Sequence, residues 1–251
     1  MARVRDAALM GPSPEQHLQK AVGARSPATR AKYARLGLAS RMPLDRTTHA
    51  MLLRQLYLAH FEVRQFAKAA EAAEQMVSLG ILSDVAHQDA ARALQALGQY
   101  DDAAGHLRLA ARTSPANRRA FHLWTLGSLY YLRGQHVQAV GALSRASRWG
   151  TTDKPLYIGH LALARCALGQ STTLEAIIDQ LANAPCGQGY GRFILGRLCC
   201  YAGRHEEATR YLEAFIQRTT SGRIALGIAL EGEVSEAQTA LELMRKNRWM
   251  E

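Results

Sequence analysis

The sequence has few of the residues that mark disulfide-rich, collagenous or disordered proteins. It contains 7 Pro and 4 Cys in 251 residues, and hydrophobic residues make up 48% of the chain against 21% for charged ones. This balance is typical of a chain that buries a core, and it excludes global disorder, a collagen repeat and a disulfide scaffold.

Neither the cysteine spacing nor the apolar runs point to export or to a membrane. Cys166, Cys186, Cys199 and Cys200 have no CxxC spacing and include an adjacent pair, so neither a zinc site nor a disulfide framework follows. The apolar run near the N-terminus has only four residues (7–10), too few for a secretory signal, and no run approaches the ~18 residues that span a bilayer. We therefore expect a soluble, unprocessed protein in a reducing cytoplasm.

The sequence also lacks recognisable catalytic or metal-binding motifs. It has no HExxH, GxSxG or phosphate-binding loop, and the nearest mixed cluster, His205-Glu206-Glu207, falls in a predicted turn where solvated polar residues are ordinary. We predict no catalytic residue, no metal and no cofactor.

Carboxylates are absent from residues 103–152, which carry seven arginines, whereas the whole chain has a net charge of +10. Such a stretch is a positive field that attracts an acidic protein segment, a nucleic acid or an anionic lipid surface. A solvated arginine-rich face is the competing interpretation, because 26 Arg against 5 Lys is also the signature of GC-rich codons. That composition alone favours a bacterial origin.

What is abundant is Ala and Leu, with 43 and 33 residues, both strong helix formers. Comparing the chain with itself at offsets of 30 to 40 residues reveals a repeat. A Gly followed five residues later by a small or apolar residue recurs, after a first frame at Arg64…Ala69, at Gly98…Ala103, Gly134…Ala139, Gly169…Leu174, Gly203…Ala208 and Gly232…Ala237.

These positions predict helical hairpins. Gly takes the left-handed conformation that closes one helix, and the small residue lets the next helix pack closely. A single hairpin cannot bury both apolar faces, so neighbouring hairpins must stack.

Residues 120–146 resemble the tetratricopeptide repeat in Leu126-Gly127, Tyr130, Gly134, Ala139 and Leu143. Residues 189–217 and 84–119 are similar, whereas 50–83 and 155–188 are more degenerate. The resemblance implies an all-α fold, a right-handed superhelical solenoid of antiparallel helix pairs.

We predict one domain over residues 13–249, preceded by a loose tail at 1–12. Its predicted units are a degenerate hairpin at 13–43, repeats near 50–83, 84–119, 120–154, 155–188 and 189–217, and a C-terminal hairpin or cap at 218–249. The cap should be solvated, since Glu242, Arg245, Lys246 and Arg248 form a charged run.

The resemblance also implies which residues line the concave groove, because first helices form the inner wall in this family. The predicted protein-binding groove comprises Arg54, Gln55, Leu58, Gln88, Asp89, Arg92, Gln95, Phe121, Trp124, Thr125, Ser128, Tyr131, His160, Leu163, Cys166, Tyr190, Phe193, Arg197, Cys200 and Tyr201. Trp124 and Phe193 are expected on the wall rather than in the core, and Tyr130 in the core. Of the adjacent Cys199 and Cys200, one should pack and the other should face the groove.

The predicted function is that of a non-catalytic protein-interaction scaffold or adaptor that binds a peptide segment or partner protein in this groove. A basic rim would orient an acidic partner; it comprises Arg108, Arg112, Arg118, Arg119, Arg145 and Arg148. The alternatives are a nucleic-acid-binding helical repeat that uses 103–152, which the irregular inner positions make less favoured, and a regulatory sensor subunit.

Overall fold

A computed structural model describes residues 11–170 and 173–246. Within them the chain forms fourteen α-helices and one 3-10 turn, with no strand, which confirms the predicted all-helical fold. The predicted tail at 1–12 and Arg248 of the predicted cap lie wholly or largely outside these residues. The fold divides into two compact units, with the division in the chain between Ala110 and Ala111. That one solenoid extends over 13–249 stays a prediction.

Unit 1 consists of α-helices, of which the first five each pack against a neighbouring helix in the chain. They are α1 (Pro14–Val22), α2 (Pro27–Leu38), α3 (Arg46–Glu62), α4 (Phe66–Leu79), α5 (Ser83–Ala96) and α6 (Tyr100–Thr113), the last of which continues past the division. Side-chain caps start the first three helices. The Ser13 hydroxyl accepts from the Gln16 amide, and the Asp45 carboxylate accepts from the Thr47 and Thr48 amides at 2.9 and 3.0 Å.

Unit 2 continues the pattern of helix pairs. It contains α7 (Ala116–Leu132), α8 (His136–Trp149), α9 (Lys154–Ala167), α10 (Leu174–Ala182), a 3-10 turn (Pro185–Gly187), α11 (Gly191–Tyr201), α12 (His205–Thr220), α13 (Ile224–Ala229) and α14 (Glu231–Arg245). Helices α7 and α8 pack together, as do α11 and α12, and α11 also packs on α9. The last helix, α14, packs against α12 and α11.

The turns inside the pairs share one backbone geometry. Gly98, Gly134, Gly169 and Gly203 have φ between 68° and 77°, and Arg64 adopts the same left-handed conformation at 59° where the other pairs have Gly. The residue after each of these donates to the carbonyl five positions earlier, as from Gln135 to Tyr130 at 2.9 Å.

Gly232 does not belong to this set, contrary to the prediction. It is the second residue of α14, since the chain turns instead at Leu230, between α13 and α14. A Cβ on Gly232 would lie 3.3 Å from the Leu132 side chain, so α14 approaches α7 closely at this point.

Close packing within the pairs rests on small residues. Ala69, Ala103, Ala139 and Ala208, the small positions of the repeat, are all fully buried. Gly127 and Gly196 let α7 and α11 approach their partner helices, because a Cβ at either would lie 2.5 Å from Cγ of Leu143 or Leu212. The two contacts are equivalent in the repeat frame.

Each unit has buried apolar side chains of its own. In unit 1, Leu53 packs with Met76 and Ala86, and the rings of Tyr57 and Phe61 stack at 5.6 Å. Unit 2 has a continuous core that includes Leu143, Leu163, Ile194, Leu198, Leu212 and Phe215. None of the described helices is long and apolar enough to cross a membrane.

Candidate protein-binding site

The predicted groove residues differ widely in exposure. Gln55, Gln88, Asp89, Ser128, Tyr131, His160, Leu163, Phe193 and Cys200 are buried. Arg54, Leu58, Arg92, Gln95, Trp124, Thr125, Cys166, Tyr190, Arg197 and Tyr201 are half-buried, and Phe121 is exposed. The half-buried side chains of each unit form a face of that unit.

In unit 1, α3 and α5 bring a buried carboxylate against half-buried arginines. Arg54 Nε donates to Asp89 Oδ2 at 3.1 Å, and the Arg54 side chain is 36% exposed while that of Asp89 is 2% exposed. Burial raises the pKa of Asp89, and the charges of Arg54 and Arg92 oppose that shift. Both guanidinium groups remain partly accessible, so this surface, the α3–α5 face, presents positive charge above a carboxylate of its own.

In unit 2, aromatic and polar rings from three successive first helices or their ends meet. Trp124 of α7 donates from Nε1 to His160 Nδ1 of α9 at 3.1 Å, and its ring meets Tyr190 edge-on at 4.8 Å. Because the indole nitrogen can only donate, Nδ1 of His160 is the acceptor and the ring is neutral. Burial lowers the pKa of His160 to about 3, so this histidine stays neutral at physiological pH.

Phe193 lies in the core, and its predicted place on the wall is wrong. Its side chain is fully buried, with ring centroids 5.4 Å from Phe215 and 5.7 Å from Tyr190. The reason is the start of α11: this helix begins at Gly191, one residue after Tyr190, so the Tyr190 ring packs over Phe193. Phe121 is the repeat position equivalent to Tyr190. Helix α7 begins five residues before Phe121, and the Phe121 ring is exposed.

Cys199 and Cys200 are both buried, which corrects the expectation that only one would pack. Cys200 Sγ lies 3.6 Å from Met244 Sδ of α14, so that helix covers the side of α11 on which the groove was predicted. Burial raises the pKa of both thiols, to about 11 for Cys199 and about 12 for Cys200. Tyr130 is half-buried and packs against the unit 2 core.

α14 binds across α7 and α11 through two carboxylates. Glu236 Oε1 accepts from Tyr131 Oη at 2.8 Å and pairs with Arg197 Nη2 at 3.0 Å. Arg197 also donates to Tyr131 Oη at 3.3 Å, so the three side chains form a closed network. We call the surface made by Ser128, Tyr131, Tyr190, Arg197 and Cys200 the α14-binding face.

Glu233 is the second carboxylate, and it is buried. Its Oε1 lies 3.2 Å from Ser128 Oγ and 3.1 Å from Tyr190 Oη, which are themselves 2.8 Å apart. Ser128 Oγ and Tyr190 Oη both donate to Oε1, so this oxygen accepts two hydrogen bonds. Burial raises the pKa of Glu233 to about 7. Oε2 of Glu233 is buried and receives no hydrogen bond from the described residues.

α14 does not fill the whole face. A cleft of about 510 Å³ remains beside it, lined by Tyr131, Arg197 and Tyr201 on one side and by Gly232, Glu236 and Thr239 of α14 on the other. Part of the predicted groove therefore stays open next to the helix that occupies it.

Sequence reasoning missed Glu233 and Glu236, which fall inside the predicted solvated cap at 218–249. One signal was available. Glu233 lies on the same helical stripe as Ala237, Ala240 and Met244, spaced four, seven and eleven residues along, and a carboxylate on an apolar stripe requires buried donors. Ala237 and Ala240 are fully buried, whereas Glu242, Arg245 and Lys246 are exposed as the predicted cap requires.

The arginines of the predicted basic rim lie at the surface. Arg108 belongs to unit 1 and the other five to unit 2; Arg119 is half-buried and the rest are exposed. The Arg119 guanidinium lies over the Trp149 ring at 4.8 Å, and Trp149 is 47% exposed. An accessible aromatic ring thus accompanies these arginines.

Titratable side chains elsewhere form pairs rather than ligand clusters. His87 Nδ1 lies 3.1 Å from His106 Nδ1, and His106 Nε2 pairs with Glu74 at 3.0 Å. Arg204 holds Glu207 by two contacts of 2.6 Å in the His205-Glu206-Glu207 segment. Among residues 11–170 and 173–246, no three His, Cys, Asp or Glu side chains are placed to hold a metal ion.

Comparisons with known proteins give structural similarity but no match to a family or to a curated protein. No protein-family profile matches the chain, and no curated protein matches it. Among solved structures, the chain is similar to YrrB, described as a tetratricopeptide-repeat protein with an unusual peptide-binding site. The similarity covers 71% of this chain and 90% of YrrB, at 16% identity and a TM-score of 0.43.

Proposed function

We propose that this chain is a non-catalytic protein-interaction scaffold of the tetratricopeptide-like kind, which binds a peptide segment or helix of a partner on the faces formed by its first helices. One observation carries the proposal. A face predicted to bind protein holds a helix of the chain itself, through Ser128, Tyr131, Tyr190 and Arg197. A surface that buries a helix in cis has the size and the donors to bind one in trans.

The residue types on both faces support this proposal. Tyr and Arg dominate the energetics of protein interfaces, because each desolvates a large area or forms several hydrogen bonds with little rearrangement. On the α3–α5 face, Arg54 and Arg92 are half-buried and partly accessible, which suits the carboxylates of an extended partner. The free thiols and the arginine-rich composition favour action in a bacterial cytoplasm.

The basic rim supports recruitment of an acidic protein segment. Arg112, Arg145 and Arg148 are exposed in unit 2, where surface charge mainly changes association rate and salt dependence. We propose that these arginines steer and orient an acidic partner.

Nucleic-acid binding remains the second candidate, and Trp149 is the observation that favours it. An exposed indole among arginines is a platform on which a base can stack, although Arg119 covers one side of this ring. Titration of labelled single-stranded and duplex RNA and DNA at near-physiological salt separates the candidates. We expect no binding at micromolar concentration. Micromolar binding that Arg112→Gln and Trp149→Ala abolish would favour nucleic acid.

The protein-binding proposal is tested on the α3–α5 face of unit 1. Wild-type chain, Arg92→Gln and Lys68→Gln are each used to capture proteins from native cells. The two variants make the same change of charge, and Lys68 is exposed on the second helix α4 rather than on the face. We expect a partner that wild type and Lys68→Gln retain and Arg92→Gln loses. If every retained protein is insensitive to Arg92, the α3–α5 face does not bind a partner and the proposal fails for unit 1.

A further inference from the structure

α14 and the face beneath it divide hydrogen-bonding roles completely. The donors to the two carboxylates come from α7, α11 or the residue preceding α11, and both acceptors come from α14. Glu233 and Glu236 are three residues apart, so they project from neighbouring points on one side of a helix. The face is therefore complementary to a helix that carries two carboxylates at this spacing.

Small and flexible apolar residues complete the pattern on α14. Ala237 and Ala240 are fully buried and Leu241 nearly so, and Met244 contacts Cys200 one turn further on. Small side chains allow the helix to approach its support closely, as Gly232 does at Leu132. The helix that fits this face thus reads Glu-x-x-Glu-Ala-x-x-Ala-Leu, which is acidic at its start and apolar afterwards.

Several features make α14 an imperfect occupant. It is attached through Ser221, Gly222 and Arg223, which are exposed, and through α13, a helix of six residues with Ile224 64% and Leu226 46% exposed. Glu233 leaves one buried oxygen without a hydrogen bond from the described residues, and a cleft stays open beside Thr239. A separate helix with larger side chains at the cleft would bury more surface than α14 does.

We propose that the α14-binding face is a recognition site for an acidic amphipathic helix of a partner protein, and that α14 is an intramolecular occupant of the same pattern that this partner displaces. The inference rests on the proposed function and names the class of partner for unit 2. The face contributes one cation, Arg197, and three hydroxyl groups, those of Ser128, Tyr131 and Tyr190, which suits two carboxylates of which one is buried.

A synthetic peptide of residues 230–246 provides the probe. Labelled with fluorescein, it is titrated by anisotropy against the full wild-type chain and against the full chain carrying Glu236→Lys. In that variant Arg197 faces a cation, so α14 is released and the face is open. The tethered α14 competes at an effective concentration near the millimolar range, so wild type should bind the peptide weakly. We expect at least tenfold tighter binding to Glu236→Lys.

A matched peptide and a milder chain variant keep the test decisive. A peptide that itself carries Glu236→Lys should bind the opened chain at least ten times more weakly than the natural sequence. Equal binding of the two peptides, or no binding to a Glu236→Lys chain that circular dichroism shows to be folded, would overturn the proposal. Unfolding of unit 2 in both Glu236→Lys and Glu236→Gln would also overturn it, because α14 would then be an integral part of the core.

The oligomeric state separates a partner helix from a second copy of this chain. Wild-type chain should sediment as a monomer, and a concentration-dependent dimer that excess peptide disrupts would assign the face to α14 of another copy and contradict the proposal. Failure of the peptide while Arg92-dependent capture succeeds would leave the proposed function intact and remove only this inference. If instead the peptide binds as expected and no captured protein depends on Arg92, partner binding would be restricted to unit 2.

Discussion

The two faces of the molecule differ in which element supplies the carboxylate that pairs with the arginine of the face. On the α3–α5 face of unit 1, the buried carboxylate is Asp89, which belongs to the face itself and pairs with Arg54. On the α14-binding face of unit 2, the surface supplies a cation and hydroxyls, and the carboxylates come from a helix added on top. The two faces have the same repeat framework but differ in where the carboxylates that balance their arginines lie. We infer that this location, rather than the framework, determines what each face binds.

This difference has an energetic counterpart. Asp89 keeps its partner whether or not anything lies on the face, so unit 1 is charge-compensated without a ligand. On the α14-binding face, Glu233 and Glu236 of α14 accept hydrogen bonds from Tyr190, Tyr131 and Arg197, and losing a buried hydrogen bond is costly. Unit 2 is consequently more stable when a helix, α14 or a substitute, is bound on this face.

The largest predicted effect concerns the apolar support of the unit 2 face. Phe193→Ala should lower the free energy of unfolding by about 3–5 kcal/mol, because it removes a fully buried ring packed on Phe215 and Tyr190. Phe121→Ala is the matched control, since that ring is 37% exposed, and it should cost less than about 1 kcal/mol. Urea denaturation followed by tryptophan fluorescence measures both. Equal losses would mean that the two aromatic positions are not distinguished as described.

The next effect is a pH dependence specific to the occupied face. The pKa of Glu233 is raised from 4.5 to about 7 by burial, so between these values the native state binds a proton that the unfolded state lacks. Stability from this group is then lost as pH rises. Glu233→Gln removes this ionisation. The free energy of unfolding of the variant, relative to that of wild type, should therefore rise by about 2–3 kcal/mol from pH 5 to pH 8.

The control for this prediction is Glu242→Gln, an exposed carboxylate on the same helix, which should show no such trend. The neutral His160 contributes equally to wild type and both variants, so it cancels in the difference. A Glu233→Gln chain whose relative stability is independent of pH would show that Glu233 ionises normally and is not buried against Tyr190 and Ser128.

A smaller effect contrasts the two cations directly. Arg54→Ala should destabilise the protein by about 2 kcal/mol at pH 7, because it removes a charge partner from the buried Asp89 carboxylate. Arg197→Ala should cost about 1 kcal/mol, because Glu236 is 24% exposed and becomes hydrated when α14 shifts. Chemical denaturation of both variants gives the comparison. A larger loss from Arg197→Ala would place the stronger dependence on countercharge in unit 2.

The sequence was sufficient to predict the helix pairs because the signals for them are local. A Gly and a small residue five positions apart describe a left-handed turn and a close helix contact, and Gly98, Gly134 and Gly203 have the positive φ that this requires. Even Arg64, which lacks the Gly, adopts the same conformation, since the hydrogen bond from Gln65 to His60 and the packing of Ala69 maintain the turn.

The face of unit 2 was only partly predictable, because its decisive contacts are distant in the chain. Ser128, Tyr131, Tyr190 and Arg197 were identified from their repeat positions, but their partners on α14 lie as many as 105 residues away. The place of Phe193 depended on where α11 begins, which the 3-10 turn at Pro185–Gly187 shifts relative to α7. Repeat position specifies a side of a helix, but not what is folded over it.

Hydrogen exchange of the α14 amides in the full wild-type chain is the most direct test of the account. If α14 is a replaceable occupant, amides of residues 234–245 should exchange through a local opening, with protection at least tenfold below that of α11 residues 195–200. Protection should fall further above pH 7, where Glu233 ionises. Protection equal to that of α11 at every pH would show that α14 opens only when unit 2 unfolds, which contradicts a displaceable helix.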